Sequence, residues 1–159
     1  MILAGILDIL KTEQPDLVCL QEVPQGTEEL SLLVRRFGYL AVASLKENLQ
    51  PGVAIIYKVN LPVVEIQELS PGCLQIVKLE SGLDIINIYA PSGNCNRDQR
   101  RTFFGDTLLR NLQLKKSVPI LIGDFNCVIN RSDTSANYDL KKCDALKDLI
   151  NLFNYSDCL

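Results

Sequence analysis

Three short motifs place polar side chains at the ends of otherwise apolar segments, where a packed core would not require them. Glu22 closes the segment LVCLQEV, Tyr89 lies in NIYAP, and Asp124 and Asn126 follow the segment PILIG. Ligands of open α/β sheets collect at strand ends, and carboxylate and amide oxygens are donors that suit Mg²⁺. This set of side chains indicates metal-assisted hydrolysis of a phosphate ester.

Each motif also has an ordinary structural explanation when it is taken alone. A glutamate at a strand end is usually solvated, and a tyrosine often lies at the edge of a core. Asp124 and Asn126 are typical turn residues. If the strand instead continues through them, its period of two places both side chains on one face, where they can address one phosphate.

Composition limits the chemistry further. The 159 residues suit one domain, and 47% hydrophobic with 22% charged residues is typical of a globular protein. The net charge of -3 argues against a general polyanion binder. No histidine is present, which excludes Ser-His-Asp and Cys-His catalysis and zinc sites of the HExxH type.

The same sequence predicts an intracellular protein, nuclear or cytoplasmic, that is neither secreted nor embedded in a membrane. No apolar run reaches the ~18–20 residues of a membrane helix, and no basic region precedes the apolar start. The six cysteines have irregular spacing and form no CxxC pair, so we expect free thiols in a reducing compartment. They occupy positions 19, 73, 95, 127, 143 and 158.

Hydrophobic periodicity predicts alternating helices and strands, and therefore an α/β fold. Helices are predicted over 2–12, 27–37, 97–114 and 145–153. Short strands that are buried on both faces are predicted at 17–20 and 119–122. The turns Pro51-Gly52, Pro71-Gly72 and Ser81-Gly82 suggest an antiparallel meander. Its strands are Tyr39–Ser44, Gly52–Lys58, Pro62–Leu69, Leu74–Leu79 and Leu83–Tyr89.

The motifs LQEV, NIYAPSGN and PILIGDFN occur in the order of a known family. The chain resembles the endonuclease/exonuclease/phosphatase superfamily, and most of all the apurinic-type endonuclease domain of LINE-type (non-LTR) retrotransposons. The resemblance implies a four-layer α/β sandwich, in which two mixed sheets are flanked by helices. It further implies that residues 1–159 form a single incomplete domain, without the family's first strand and its C-terminal strands.

The resemblance also assigns roles to individual residues. Glu22 corresponds to the glutamate that binds one or two Mg²⁺ ions, and Tyr89 to the tyrosine that contacts the scissile phosphate. Asp124 corresponds to the aspartate that positions or activates the attacking water. Asn126 corresponds to the asparagine that steadies the phosphate. Asn94 is a substrate-binding candidate, because Ser92 stands where the family often has an asparagine.

The implied activity is Mg²⁺-dependent nicking of DNA, with a reverse transcriptase domain expected in a full-length element. Arg97, Arg100 and Arg101 are candidates for contacts with the DNA phosphate backbone. The family's closing Ser-Asp-His motif and its first-strand asparagine have no counterpart here. Because a general base contributes about 10²–10⁴-fold, we expect this chain alone to have little activity.

Two other functions remain open on the sequence. A phosphatase or sphingomyelinase relative would keep the fold and change the substrate. A non-catalytic interaction module or remnant would explain the absence of histidine. A doubly wound nucleotide-binding module is disfavoured, because neither GxGxxG nor GxxxxGK[ST] is present.

Overall fold

The structure is a computed structural model that describes residues 2–25, 28–46, 50–93, 96–135 and 138–156. The chain divides into two compact units. The first unit contains residues 1–89 and 120–123, and the second contains residues 90–119 and 124–159.

The secondary structure alternates as the periodicity predicts, with most bounds within two residues. Seven strands are described: β1 Leu17–Val23, β2 Tyr39–Ser44, β3 Gly52–Lys58, β4 Val63–Ser70, β5 Leu74–Leu79, β6 Asp84–Tyr89 and β7 Ile120–Asp124. The described α-helices are α1 Ile2–Thr12, α2 Glu28–Arg35, α3 Arg97–Thr102, α4 Leu109–Gln113, α5 Tyr138–Lys141 and α6 Asp144–Phe153. The predicted helix start at Thr27 lies outside the described residues.

The first sheet of the first unit has the order β1-β3-β2, and both of its pairings are antiparallel. The central strand β3 is the most deeply buried, because it has a neighbour on each side. Helices α1 and α2 cover one face of this sheet through a cluster of apolar side chains. The buried members of this cluster are Leu10, Leu30, Val34, Tyr39 and Ile56.

The second sheet has the order β4-β5-β6-β7, with antiparallel pairing of β4 to β5 and of β5 to β6. Its inner strands carry fully buried residues, including Ile76 and Ile88. Strands β1 and β3 of the first sheet contact β6 of the second. The predicted mixed α/β fold with two sheets and packed helices is therefore confirmed.

The prediction that residues 119–122 form a fully buried strand is wrong. Ile120 is 47% and Ile122 45% exposed in β7. The physical reason is the position of β7 in the sheet, because it lies at one end of the strand order and pairs on one side alone among the described strands. An apolar run does not distinguish a central strand from an edge strand.

The second unit is mostly helical. Helix α3 continues through a π-helical turn, Phe103–Leu108, into α4, so residues 97–113 form one interrupted helix. The apolar face of this helix is buried and consists of Phe103, Phe104, Leu108 and Leu112. The Phe104 ring also stacks on Phe125, with 6.2 Å between ring centroids. Among the described residues, no helix is long and apolar enough to cross a bilayer.

Candidate functional site

Glu22 lies in a β-bulge of β1. The register with β3 shifts between Gln21, which pairs with Val53, and Val23, which pairs with Gly52. The extra residue, Glu22, has a φ of 56°, in the left-handed region that a glutamate rarely adopts. Bulges of this kind re-aim a side chain and occur often beside active sites. Here the side chain of Glu22 is exposed while its neighbour Val23 is buried.

Tyr89 is the last residue of β6, and its hydroxyl lies beside this carboxylate. The Tyr89 hydroxyl donates a hydrogen bond of 3.3 Å to Oε1 of Glu22. The Tyr89 ring is buried, and the Lys46 ammonium lies 5.1 Å from the ring centroid, within cation–π distance. Glu22, Lys46 and Tyr89, the polar cluster of the first unit, thus combine an acceptor, a cation and an oriented hydroxyl.

Asn87, two residues before Tyr89 in β6, forms hydrogen bonds to β1 and β3 of the first sheet. Its Nδ2 donates to the carbonyls of Leu20, at 3.2 Å, and Ala54, at 3.0 Å. Its Oδ1 accepts a 2.7 Å hydrogen bond from Nε2 of Gln21. Asn87 is 0% exposed, so it links the two sheets through buried polar contacts directly before the bulge. Residues 87 and 89 of β6 face the same strand, β1, as the strand period predicts.

Asp124 and Asn126 come together in the second unit, but not on one face of a strand. Strand β7 ends at Asp124, and Asn126 has a φ of 51°. The backbone N–H of Asn126 donates a 2.8 Å hydrogen bond to Oδ1 of Asp124, which closes an Asx turn. Of the two alternatives that the sequence left open, the structure therefore has the turn and not the continued strand, because the side chain of Asp124 caps its own chain two residues later.

The Asx turn is held to the chain segment that follows Tyr89. Nδ2 of Asn126 donates a 2.9 Å hydrogen bond to the Ala90 carbonyl, and the Ala90 N–H donates a 2.9 Å hydrogen bond to the Asp124 carbonyl. Both polar side chains are therefore fixed by backbone contacts and are only partly buried. A carboxylate and an amide that are held in this way can orient a water or a phosphate oxygen without further ordering.

The remaining candidates have different outcomes. Asn94 lies outside the described residues. Arg100 is not available to DNA, because it is 2% exposed and its Nη1 donates to the carbonyls of Pro91, at 3.1 Å, and Gly93, at 2.6 Å. Arg97 and Arg101 are exposed on α3. The helix period separates the three arginines, and Arg100 faces inward.

Glu22 is the candidate metal ligand of the first unit. Among the described residues, no three cysteine, aspartate or glutamate side chains converge as a metal site. Glu22 is exposed and accepts a hydrogen bond on one oxygen, so it retains capacity for a cation. Mg²⁺ sites commonly use one or two carboxylates and fill the remaining positions with water and substrate phosphate. Glu22 therefore fits a weak magnesium site of that type.

Sequence reasoning did not identify Lys46 and Gln21. Lys46 follows β2 and is brought to Tyr89 by long-range pairing, for which no local signal exists. Gln21 directly precedes Glu22, and its amide in an apolar strand was the signal that a buried partner such as Asn87 was needed.

A model of the Endonuclease/Exonuclease/phosphatase family matches residues 3–152, which include Glu22, Tyr89, Asp124 and Asn126. The fold is also similar to that of an AP endonuclease from Archaeoglobus fulgidus, with a TM-score of 0.77 and 23% identity. That comparison covers 94% of this chain and 65% of the other.

Two further solved structures share the fold at lower similarity. One is ANGEL2, a 2′,3′-cyclic phosphatase in complex with adenosine-2′,3′-vanadate, with 20% identity and a TM-score of 0.61. That comparison covers 79% of this chain and 44% of ANGEL2. The other is D. rerio TDP2 complexed with a single-strand DNA product, with 20% identity and a TM-score of 0.61. That comparison covers 80% of this chain and 54% of TDP2. This chain thus spans 44–65% of the length of these three structures.

Proposed function

This chain belongs to the endonuclease/exonuclease/phosphatase family, and we propose that it takes part in Mg²⁺-dependent hydrolysis of phosphodiesters in DNA. The observation that carries the proposal is the hydrogen bond between Tyr89 and Glu22, made across the two sheets by a carboxylate that a bulge turns outward. A structural role alone does not require a strained glutamate at that position. Families of this type generally depend on a divalent metal.

Glu22 and Tyr89 act on the metal and the phosphate in this proposal. A divalent cation at Glu22 would supply charge stabilisation for the phosphoryl oxygens. Because Glu22 accepts its hydrogen bond, the hydroxyl of Tyr89 is oriented before substrate arrives. The ammonium of Lys46, on the Tyr89 ring, adds positive charge that favours a phosphate beside it.

Asp124 and Asn126 act on the water and the phosphate. Oδ1 of Asp124 accepts the hydrogen bond from the Asn126 backbone N–H, so its second oxygen is the one that orients the attacking water. Asn126 uses one N–H of its side chain on the Ala90 carbonyl and retains a second N–H for a phosphate oxygen. Donors held in this way stabilise developing charge without reorganisation.

DNA is the proposed substrate, and strand nicking in a LINE-type retrotransposon is the proposed context. The motifs NIYAPSGN and PILIGDFN support this context. The AP endonuclease and the DNA-bound TDP2 have similar folds, which is compatible with it. The chain contains no histidine. We therefore expect this chain alone to hydrolyse DNA slowly, since a missing general base costs about 10²–10⁴-fold.

The test is nicking of supercoiled plasmid by the purified chain, with Mg²⁺ and with EDTA, together with binding to duplex DNA containing phosphorothioate linkages. We expect metal-dependent binding that is lost in Glu22→Gln and weakened in Tyr89→Phe. The matched control is Glu80→Gln, which neutralises an exposed carboxylate in the same unit. Any nicking should disappear in Asp124→Asn and persist in Asp148→Asn, an exposed aspartate of α6.

Each outcome distinguishes the functions that the sequence left open. Neither nicking nor metal-dependent DNA binding by folded protein would contradict the proposal and favour a non-catalytic module. Hydrolysis of a 2′,3′-cyclic nucleotide without action on DNA would favour a phosphatase relative. Rapid nicking lost in Asp124→Asn would support the nuclease and contradict the expected low activity.

A further inference from the structure

Two cysteines of the second unit, Cys127 and Cys143, lie in neighbouring chain segments, although the sequence spacing gave no reason to pair them. Cys127 and Cys143 interact through their side chains. The two segments are held beside each other by a parallel bridge between Val128 and Lys142 and by a 3.1 Å hydrogen bond from the Val128 N–H to the Lys141 carbonyl. Both thiols are free.

Cys143 is the N-cap residue of α6, a helix of ten residues. Its carbonyl accepts the 3.3 Å hydrogen bond from Lys147 that begins the helix. Hydrogen bonding to Cys127 lowers the pKa of the Cys143 thiol and outweighs the opposite effect of burial. The backbone amides of Leu146 and Ala145 and the charge of Arg100 lower it further. A thiolate at a helix N-terminus beside a cation is the reactive form of cysteine.

Arg100 gives independent support for a negative charge at this place. The guanidinium is buried, and its Nε makes no hydrogen bond within the described part of the chain. None of the salt bridges among the described residues involves Arg100. A buried cation without a carboxylate is costly, and the Cys143 thiolate is the anion that its charge favours.

A small molecule can reach Cys143 through an open cavity of about 460 Å³ in the second unit. Cys143 lines this cavity together with three basic and three acidic side chains. These are Arg97, Arg101, Lys142, Asp98, Asp144 and Asp148. This mixture suits a ligand that itself carries both carboxylates and ammonium groups.

We propose that Cys127 and Cys143 form a thiol modification site that reacts with a low-molecular-weight disulfide of mixed charge, such as oxidised glutathione. The Cys143 thiolate attacks one sulfur of that disulfide, a mixed disulfide forms, and one glutathione leaves as its thiolate. Cys127 then loses its proton to solvent, and its sulfur attacks the sulfur of Cys143 and releases the second glutathione. Two protein thiols are oxidised and one disulfide is reduced to two thiols.

The order of attack follows from the different surroundings of the two sulfurs. The pKa of Cys127 is raised most by its hydrogen bond to Cys143, and burial and the charges of Cys143 and Asp124 raise it further. The charge of Arg100 opposes this rise in part. The hydrogen bond to a thiolate is lost once Cys143 carries glutathione, so Cys127 becomes the resolving thiol. Burial raises the pKa of the isolated Cys19 thiol to about 12, which makes Cys19 a suitable unreactive reference.

The experiment treats the reduced chain with oxidised glutathione, traps free thiols with N-ethylmaleimide and maps the products by mass spectrometry. We expect a Cys127–Cys143 disulfide in the wild type while Cys19 and Cys73 remain free. Cys127→Ser should accumulate glutathione on Cys143, and Cys143→Ser should leave Cys127 reduced. Cys73→Ser is the matched control and should behave as the wild type does.

A second measurement needs no variant and therefore does not depend on whether the serine variants fold. Competitive alkylation of the wild type with iodoacetamide at pH 7 should modify Cys143 at least about 10-fold faster than Cys19. Equal rates at Cys143 and Cys19, or oxidation of Cys127 that persists in Cys143→Ser, would overturn the proposal.

Discussion

At the scale of single residues, Asn87 is the polar group on which the joining of the two sheets most depends. Its amide supplies donors to two carbonyls and an acceptor to Gln21, and all of these groups lie at the interface between β6 and the first sheet. Buried polar groups that lose a partner cost about 1–3 kcal/mol each. The burial of Asn87 in an otherwise apolar strand is therefore explained by the hydrogen bonds that it makes to the polar groups around it.

We predict that Asn87→Ala lowers the free energy of unfolding by about 2–3 kcal/mol, because the carbonyls of Leu20 and Ala54 lose their donor. Urea denaturation followed by circular dichroism measures this change. Gln67→Ala, an exposed amide in β4, is the matched control and should change stability by less than about 0.5 kcal/mol. Equal effects of the two substitutions would contradict this account of Asn87.

A second residue, Gly123, permits the close approach of β7 to β6. Its φ is 139°, and a Cβ at this position would lie 2.0 Å from the Ile88 carbonyl oxygen. We predict that Gly123→Ala destabilises the chain by about 3 kcal/mol or more through strain and overlap. Gly5 in α1 is the control, because its Cβ would meet nothing within 4 Å. Gly5→Ala should stabilise the chain by about 0.5–1 kcal/mol in the same denaturation assay.

At the scale of elements, α6 illustrates how a helix end is set by one residue. Asn154 has a φ of 54°, and the Tyr155 N–H donates a 3.0 Å hydrogen bond back to the Ile150 carbonyl, as in a Schellman motif. We predict that Asn154→Val costs about 1–2 kcal/mol, because a β-branched residue resists this conformation, whereas Asn154→Gly keeps or raises stability. Thermal unfolding of the two variants beside the wild type measures the difference. A loss of stability in both variants would contradict the conclusion that the left-handed backbone at Asn154 sets the helix end.

Strand β7 presents a different problem, because an apolar edge strand can pair with another chain. Ile120 and Ile122 are each nearly half exposed on it. We predict that Ile122→Lys raises the fraction of monomer in size-exclusion chromatography with light scattering. Val59→Lys is the control, since it removes an exposed apolar side chain from a turn instead of an edge strand. If both substitutions help equally, general surface hydrophobicity and not the strand edge controls association.

At the scale of the whole molecule, the charge balance limits how the chain meets DNA. The net charge is -3, and of the three arginines that begin α3 only Arg97 and Arg101 are exposed. Each phosphate contact contributes about -0.9 to the slope of log K against log salt. We therefore predict a shallow slope, about -2 or less steep, for metal-free binding to duplex DNA in fluorescence anisotropy. Substitution of both Arg97 and Arg101 by alanine should flatten it, whereas a slope near -6 would reveal a basic surface that the charge count does not indicate.

Hydrophobic periodicity was enough to predict the alternation of helices and strands, because it reports local geometry. Tyr39–Ser44, Gly52–Lys58 and Leu74–Leu79 were predicted with the bounds that the structure has. The polar strand ends at Glu22, Tyr89 and Asp124 were also visible, since a polar residue after an apolar run needs no tertiary knowledge. The family followed from the same residues, and the family model confirms it.

The orientation of these side chains depends on long-range contacts that the sequence does not reveal. Register with β3 creates the bulge that turns Glu22 outward, and sheet packing brings the Tyr89 hydroxyl to it. Folding likewise buries Arg100 and places the segments of Cys127 and Cys143 side by side. These features depend on contacts between residues far apart in sequence, and hydrophobic periodicity contains no information about such pairing because it records only which face of each element is apolar.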